Sequence, residues 1–203
     1  MIRALAWFGF LLCLGVGLLF PWSKTPLIMA LCYGMASMGV AVMMRAGQVS
    51  FGHALYAAIA AYSVAFTARS FPQWDGLLLL LIGVLASSLS AALIGLFVVR
   101  YRGIFFGMLN LALSMVVFSM LGKFYSLTGG TDGLRINRPT LFAITLERDV
   151  FETSLLLLSL CFAALLVWGI QRYFKSASGE ALAGIKSNET RLEYLGLSAK
   201  RIL

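Results

Sequence analysis

Side chains able to do chemistry are few in this chain, and they cluster. The stretch MMRAGQVSFGHALYA, Met43 to Ala57, gathers Arg45, Gly47, Gln48, Ser50, Gly52 and His53 inside an otherwise apolar and small-residue run from Leu27 to Ala68. Amide, hydroxyl and imidazole groups in that setting must satisfy one another or face a polar solute, because a buried polar group without a partner is costly. A second polar residue, Asn110, lies in RGIFFGMLNLALSMVVFSML, where Gly107, Asn110, Ser114 and Val117 share one helical face. It either bonds between helices or lines a solute path, and both readings stand. As a candidate path the chain therefore offers Gln48, Ser50, Gly52, His53, Asn110 and Ser114. The third stretch, SLTGGTDGLR, brings Thr128, Gly129, Gly130, Asp132 and Gly133 together in a tight turn. It lacks the Gly-Lys-Ser/Thr ending of a phosphate-binding P-loop, and no strand precedes it, so neither nucleotide fingerprint applies. It is expected to be an external loop.

None of these stretches makes a catalytic constellation. His53 is the only histidine, so no metal site can rest on imidazoles, and no metal or other cofactor is expected. No charged residue falls in the middle of an apolar segment, which argues against coupling to protons or sodium through an intramembrane carboxylate. The last polar stretch is the tail KSASGEALAGIKSNETRLEYLGLSAKRIL, helix-prone, with Gly179, Gly184 and Gly196 as breakers. It reads either as a plain cytoplasmic tail or as a short helix that docks in a partner's groove.

The elements that must position these residues are membrane helices. Of 203 residues 61% are hydrophobic and only 12% charged, which excludes an ordinary soluble domain. The net charge of +8 sits mostly at the ends of apolar runs, with no basic face interleaved with aromatics, so nucleic acid is not an expected partner. About 20 residues at 1.5 Å rise cross the roughly 30 Å hydrocarbon core. Six segments approach that length: Ala4 to Phe20, Leu27 to Met44, Phe51 to Ala68, Leu77 to Val99, Ile104 to Leu121 and Phe151 to Ile170. As one helix, Leu27 to Ala68 would be about 60 Å long, so the chain must break at the polar cluster. Gly47 is the expected terminator and Ser50 the expected N-cap of the next helix. The break is either a cytoplasmic hairpin with Arg45 at the headgroups, or a broken helix whose Gln48, Ser50 and His53 line a polar cavity at membrane depth.

Basic residues favour the cytoplasmic ends of short loops. An inside N-terminus puts Arg3, Arg45, Arg100, Arg102, Arg172 and Lys175 on the inner side. The outer side receives Lys24, Arg69 and a mixed loop from Lys123 to Asp149. The first apolar run lacks a small-x-small cleavage pattern and is expected to be a retained helix. The predicted fold is an all-α polytopic transmembrane bundle of about six spans with a cytoplasmic N-terminus. Residues 1–171 would form the bundle and 172–203 a cytoplasmic segment. Stripes of small residues, Gly83, Ser87, Ala91 and Gly95 on one helix and Ala57, Ala61 and Ala65 on another, predict close helix packing. Cys13, Cys32 and Cys161 are expected as buried small hydrophobes.

Three separated stretches agree on more. AGQVSFGHALYAAIAAY, RGIFFGMLNLALSMVVFSM followed by SLTGGTDGL, and SGEALAGIKSNETRLEYLG together resemble the permease subunit of branched-chain amino acid ABC importers. The match is to the permease of the pair that carries the Leu-Thr-Gly-Gly loop, and it runs from about Ala36 to the C-terminus. The resemblance implies a second permease subunit, cytoplasmic ATPase subunits that bind the ATP, a soluble extracytoplasmic solute-binding protein and surrounding membrane lipid. It also implies that the tail couples to the ATPase, with Gly179, Glu180, Ala181, Gly184, Glu189 and Gly196 at the matching positions. Glu180 stands where the family usually has a basic residue, and Asn110 where a small hydroxyl residue is common. Relatives continue past the position of Leu203 into further spanning helices, so a fragment or truncated product, or completion by another chain, is expected. The implied protein is no enzyme. It is a multi-pass permease subunit of the bacterial inner membrane, moving branched-chain amino acids or a related small solute such as urea. The alternatives are an ion-coupled secondary transporter or channel, and a permease fragment that does not transport.

Overall fold

The computed structural model describes residues 2–141, 144, 146–187 and 194. Among them the chain is helical, with two isolated bridging contacts and no strand. In order it forms α1 (Ile2–Leu19), a 3-10 turn (Pro21–Ser23), α2 (Lys24–Arg45), α3 (His53–Ser70), α4 (Gly76–Val98), α5 (Ile104–Lys123), a short α6 (Tyr125–Thr128), α7 (Arg148–Phe174) and α8 (Ala177–Ser187). Four helical segments are long and apolar enough to cross a membrane: Pro21–Arg45, Gly76–Val98, Ile104–Lys123 and Arg148–Phe174. Helices α1 and α3 have 18 residues each, about 27 Å of helix, at the lower limit of spanning length.

Several ends move from their predicted positions. Helix α2 starts at Lys24 instead of Leu27, and α7 runs from Arg148 to Phe174, a turn beyond Ile170. Helix α3 begins at His53, two residues after the predicted Phe51. The chain divides into two compact units, one of Met1–Val42 with Leu146–Glu180, the other of Met43–Thr145 with Ala181–Leu203.

In the first unit α1 packs on α7. Gly17 makes the approach possible, because a Cβ there would collide with the Leu156 side chain. Leu156, Leu160 and Ala163 are buried on α7 and form its core face. Lys24, 6% exposed, ties the start of α2 to the start of α7: its Nζ donates to the Asp149 carbonyl at 3.3 Å and lies 3.8 Å from Asp149 Oδ1. Cys32 and Cys161 are exposed, against the expectation that the cysteines are buried, because each sits on an outward face of its helix.

In the second unit α3, α4 and α5 pack pairwise. The Gly83 stripe does face α3 at its first two positions. A Cβ at Gly83 would sit 2.8 Å from Val64 Cγ2 and 3.3 Å from the Ala60 carbonyl, and Ser87 Oγ donates to the Tyr56 carbonyl at 3.3 Å. At Gly95 the stripe meets nothing within 4 Å. The face of α3 that receives it is Tyr56, Ala60 and Val64, not Ala57, Ala61 and Ala65, of which the first two are exposed. A one-residue shift turns a helix by about 100°, so the alanine stripe looks elsewhere. Asp75 caps α4 by accepting from Leu77 N at 3.2 Å, and Gly76 N donates to Thr140 O at 2.7 Å, which holds the segment before α7 against the start of α4.

Candidate functional site

Helix α2 ends in a Schellman arrangement. Gln48 N donates to Met43 O and Gly47 N to Met44 O, each at 3.1 Å, and Gly47 takes φ +74°. Only a residue without a Cβ adopts that conformation freely, so Gly47 is the terminator its type suggested. From Gln48 to Gly52 the chain has no regular secondary structure. Ser50 is not the cap of α3, contrary to the reading from residue type. Gly52 occupies the N-cap position with no side-chain cap, and Ser50 Oγ accepts from Gly52 N at 3.3 Å. The hydroxyl is used two residues on, in a local turn that competes with capping.

This irregular strap lies along the first two turns of α5. Gln48 Oε1 accepts from Gly103 N at 3.1 Å. A Cβ on Gly107 would stand 2.8 Å from Val49 O and 3.4 Å from Phe51 Cε2. At Gly52 a Cβ would stand 3.1 Å from Asn110 Cβ and Oδ1 and 3.2 Å from its carbonyl. Contacts at Gly103, Gly107 and Asn110 in turn mean that the strap climbs about 10 Å along the α5 axis before α3 begins. The structure thus brings Gly52 against Asn110 and Gln48 against the start of α5, with Gln48 4% exposed, Ser50 8% and Asn110 4%. Asn110 Nδ2 donates at 3.0 Å to Phe106 O in its own helix, not to a neighbouring one. His53, half-buried at the head of α3, keeps a buried Nδ1 without a hydrogen-bond partner. Ser114, half-buried, follows Asn110 by one turn.

Two strap partners escaped the reading by residue type. Gly103, at φ +58°, follows the basic Arg100–Arg102 turn, and its N–H would be an orphan of the α5 start without Gln48. The available signal was a glycine directly before an apolar helix. The other is Lys186 in the tail: a Cβ on Gly47 would lie 3.1 Å from Lys186 Cγ and 3.5 Å from its Cα. Nothing in the local sequence pairs those two.

Of the tail residues, Gly179 is buried, with its Cα facing the Tyr173 carbonyl and Phe174, while Glu180 is exposed. Ala181 is 8% exposed, Gly184 is half-buried, and Ala181, Leu182 and Ile185 form the buried side of α8. Glu189 and Gly196 lie outside the described residues. At the far end of α5 the glycine-rich loop folds back. Thr128 Oγ1 donates to Leu121 O at 2.6 Å, lies 2.9 Å from Phe124 O, and accepts from Gly130 N at 3.1 Å, while Tyr62 OH donates to Thr128 O at 3.3 Å. Gly129, Gly130 and Gly133 all have positive φ, and Asp132 Oδ2 accepts from Tyr125 OH at 3.3 Å. The loop is a compact cap on α5 and α3, held by one buried threonine.

Residues 24–203 match the family described as branched-chain amino acid transport system / permease component. The high-affinity branched-chain amino acid transport system permease protein LivM of Salmonella typhimurium is 26% identical over 196 aligned residues, which cover 86% of this chain and 46% of the relative. The chain therefore spans about half the length of the curated relative it matches. No solved structure matches it.

Proposed function

Because this chain belongs to the permease component family of branched-chain amino acid transport systems, a family of transporters and not an enzyme class, we propose that it is a permease subunit of an ATP-driven importer. Its solute is a branched-chain amino acid or a similar small molecule. ATP is bound by partner ATPase subunits, the solute is delivered by an extracytoplasmic binding protein, and a second permease completes the path. The chain itself carries no cofactor. It crosses the bacterial inner membrane six times from a cytoplasmic N-terminus, α1 and α3 joining the four long apolar helices, and 172–203 form the cytoplasmic coupling segment.

One observation carries the mechanism: the strap from Gly47 to Gly52 touches the tail at one end and α5 and α3 at the other. Lys186 abuts Gly47, Gln48 holds the amide that starts α5, and Gly52 abuts Asn110 just where α3 begins. A shift of α8 is thereby delivered to the first turns of two spanning helices. The same contacts support an inner location for the tail, since Arg45, Arg100 and Arg102 flank this end. With α5 starting at the headgroups, α3 starts about 10 Å deeper, which favours the broken-helix form of the strap over a surface hairpin. Gln48, Ser50, Gly52, His53, Asn110 and Ser114 then stand beside the solute path, and Gly179, Glu180, Ala181, Gly184, Glu189 and Gly196 beside the ATPase. Thr128, Gly129, Gly130, Asp132 and Gly133 cap the outer end.

The test is uptake of labelled leucine into proteoliposomes holding this chain with its partner permease, the ATPases and the binding protein. Uptake should require both ATP and the binding protein. Uptake driven by an ion gradient without ATP would instead establish a secondary carrier.

A further inference from the structure

The last two turns of α7 carry a feature that the import mechanism does not use. Trp168, Gln171, Arg172, Lys175 and Ser176 line an open cleft of about 360 Å3. The first four recur at i, i+3, i+4 and i+7, so they form a single face. Arg172 and Lys175 are exposed, and neither has an ion-pair partner among the described residues. The negative end of the α7 dipole amounts to about half a charge, so two cations leave a surplus to attract an anion. Toward the middle of α7 the same face continues as Leu165, 55% exposed, and Cys161, also exposed, with Trp168 itself 64% exposed. An apolar track thus runs into an aromatic ring and then into two cations. That order matches a membrane interface, with acyl chain, headgroup boundary and phosphate met in succession.

We propose that this cleft binds the headgroup of an anionic phospholipid, with the phosphate held by Arg172 and Lys175 and one acyl chain lying along Trp168 and Leu165. Gln171 supplies a neutral donor to the phosphodiester or glycerol oxygens. A free phosphate would use the cations but leave the apolar track empty, and it is the track that assigns the ligand to the bilayer. Bound there, the lipid sits directly before Gly179, whose close approach to Tyr173 and Phe174 sets the bend into α8. The proposal rests on the reading of α7 as a membrane span, which extraction of the chain from the membrane fraction only by detergent tests separately.

The experiment is native mass spectrometry of the full chain released from nanodiscs of phosphatidylcholine doped with phosphatidylglycerol. The wild type should retain one phosphatidylglycerol at energies that strip phosphatidylcholine. Arg172→Gln with Lys175→Gln should lower that retention by roughly thirtyfold, whereas Lys123→Gln, at the end of α5, should leave it unchanged. Both altered side chains are exposed, and an unchanged helical circular dichroism spectrum checks that the double variant is folded; should it not be, Trp168→Ala takes its place, with retention again expected to drop. Retention that survives in a folded variant, or full displacement by inorganic phosphate at millimolar concentration, would overturn the lipid assignment. So would a variant that loses only ATPase association.

Discussion

Gln48 shows what a single buried amide does in this chain. It is 4% exposed and accepts from the Gly103 amide, a group at a helix start that has no partner within its own helix. Replacement by leucine keeps the size and removes the acceptor, leaving a buried donor unsatisfied at a cost of about 1–3 kcal/mol. Gln48→Leu is therefore expected to lower the thermal unfolding midpoint in detergent by several degrees, read by intrinsic fluorescence. A midpoint equal to wild type would mean that the bond carries no weight. That these polar residues matter was readable from their types, since amides and hydroxyls are rare in so apolar a chain. Their partners were not readable: Ser50 looks like a cap and serves a local turn, and Asn110 looks like an interhelical donor and bonds its own helix.

Between elements, packing depends on which face of a helix is narrow. Gly83 lets α4 approach the backbone of α3 at Ala60. Gly83→Leu should force the two helices apart and destabilise the fold by about 1–3 kcal/mol, again as a lower melting midpoint. Gly95→Leu, where nothing lies within 4 Å, should change little. The strap has its own test. Gly47 and Lys186 are near enough that a Cβ at the first would lie 3.4 Å from that of the second, at the short end of disulfide geometry. Oxidation of a Gly47→Cys, Lys186→Cys variant is expected to join tail to strap and reduce ATP-driven uptake at least tenfold, with recovery on reduction. Cross-linking that leaves uptake intact would show that tail and strap need not move apart. The four-residue period holds on α4 at Gly83 and Ser87 but not at Gly95, while on α3 Ala57 and Ala61 face outward, because small residues make a close approach possible without selecting which neighbour takes it.

At the scale of the whole chain, the proposed topology puts the strap end and the glycine-rich loop on opposite sides of the membrane. In a background with Cys13, Cys32 and Cys161 replaced by serine, Ser187→Cys should react with an impermeant thiol reagent only from the cytoplasmic face, and Asp132→Cys only from the outer face. Labelling of both from one side would remove the ATPase coupling assigned to the tail.

Hydropathy and charge by themselves determined that this is a chain of membrane helices and roughly where each lies, because the bilayer demands long apolar runs with basic ends whatever the neighbours are. The type of Gly47 likewise foretold the end of α2, since a left-handed residue is a local requirement. Only the tertiary structure decided that the chain between α2 and α3 climbs α5, that Gln48 finds Gly103 across 55 residues of sequence, and that Lys186 comes to Gly47. Those contacts join residues far apart along the chain, and no local pattern records them; the strap meets α5 and the tail at Gly107, Gly52 and Gly47, where the absence of a Cβ leaves room for the partner.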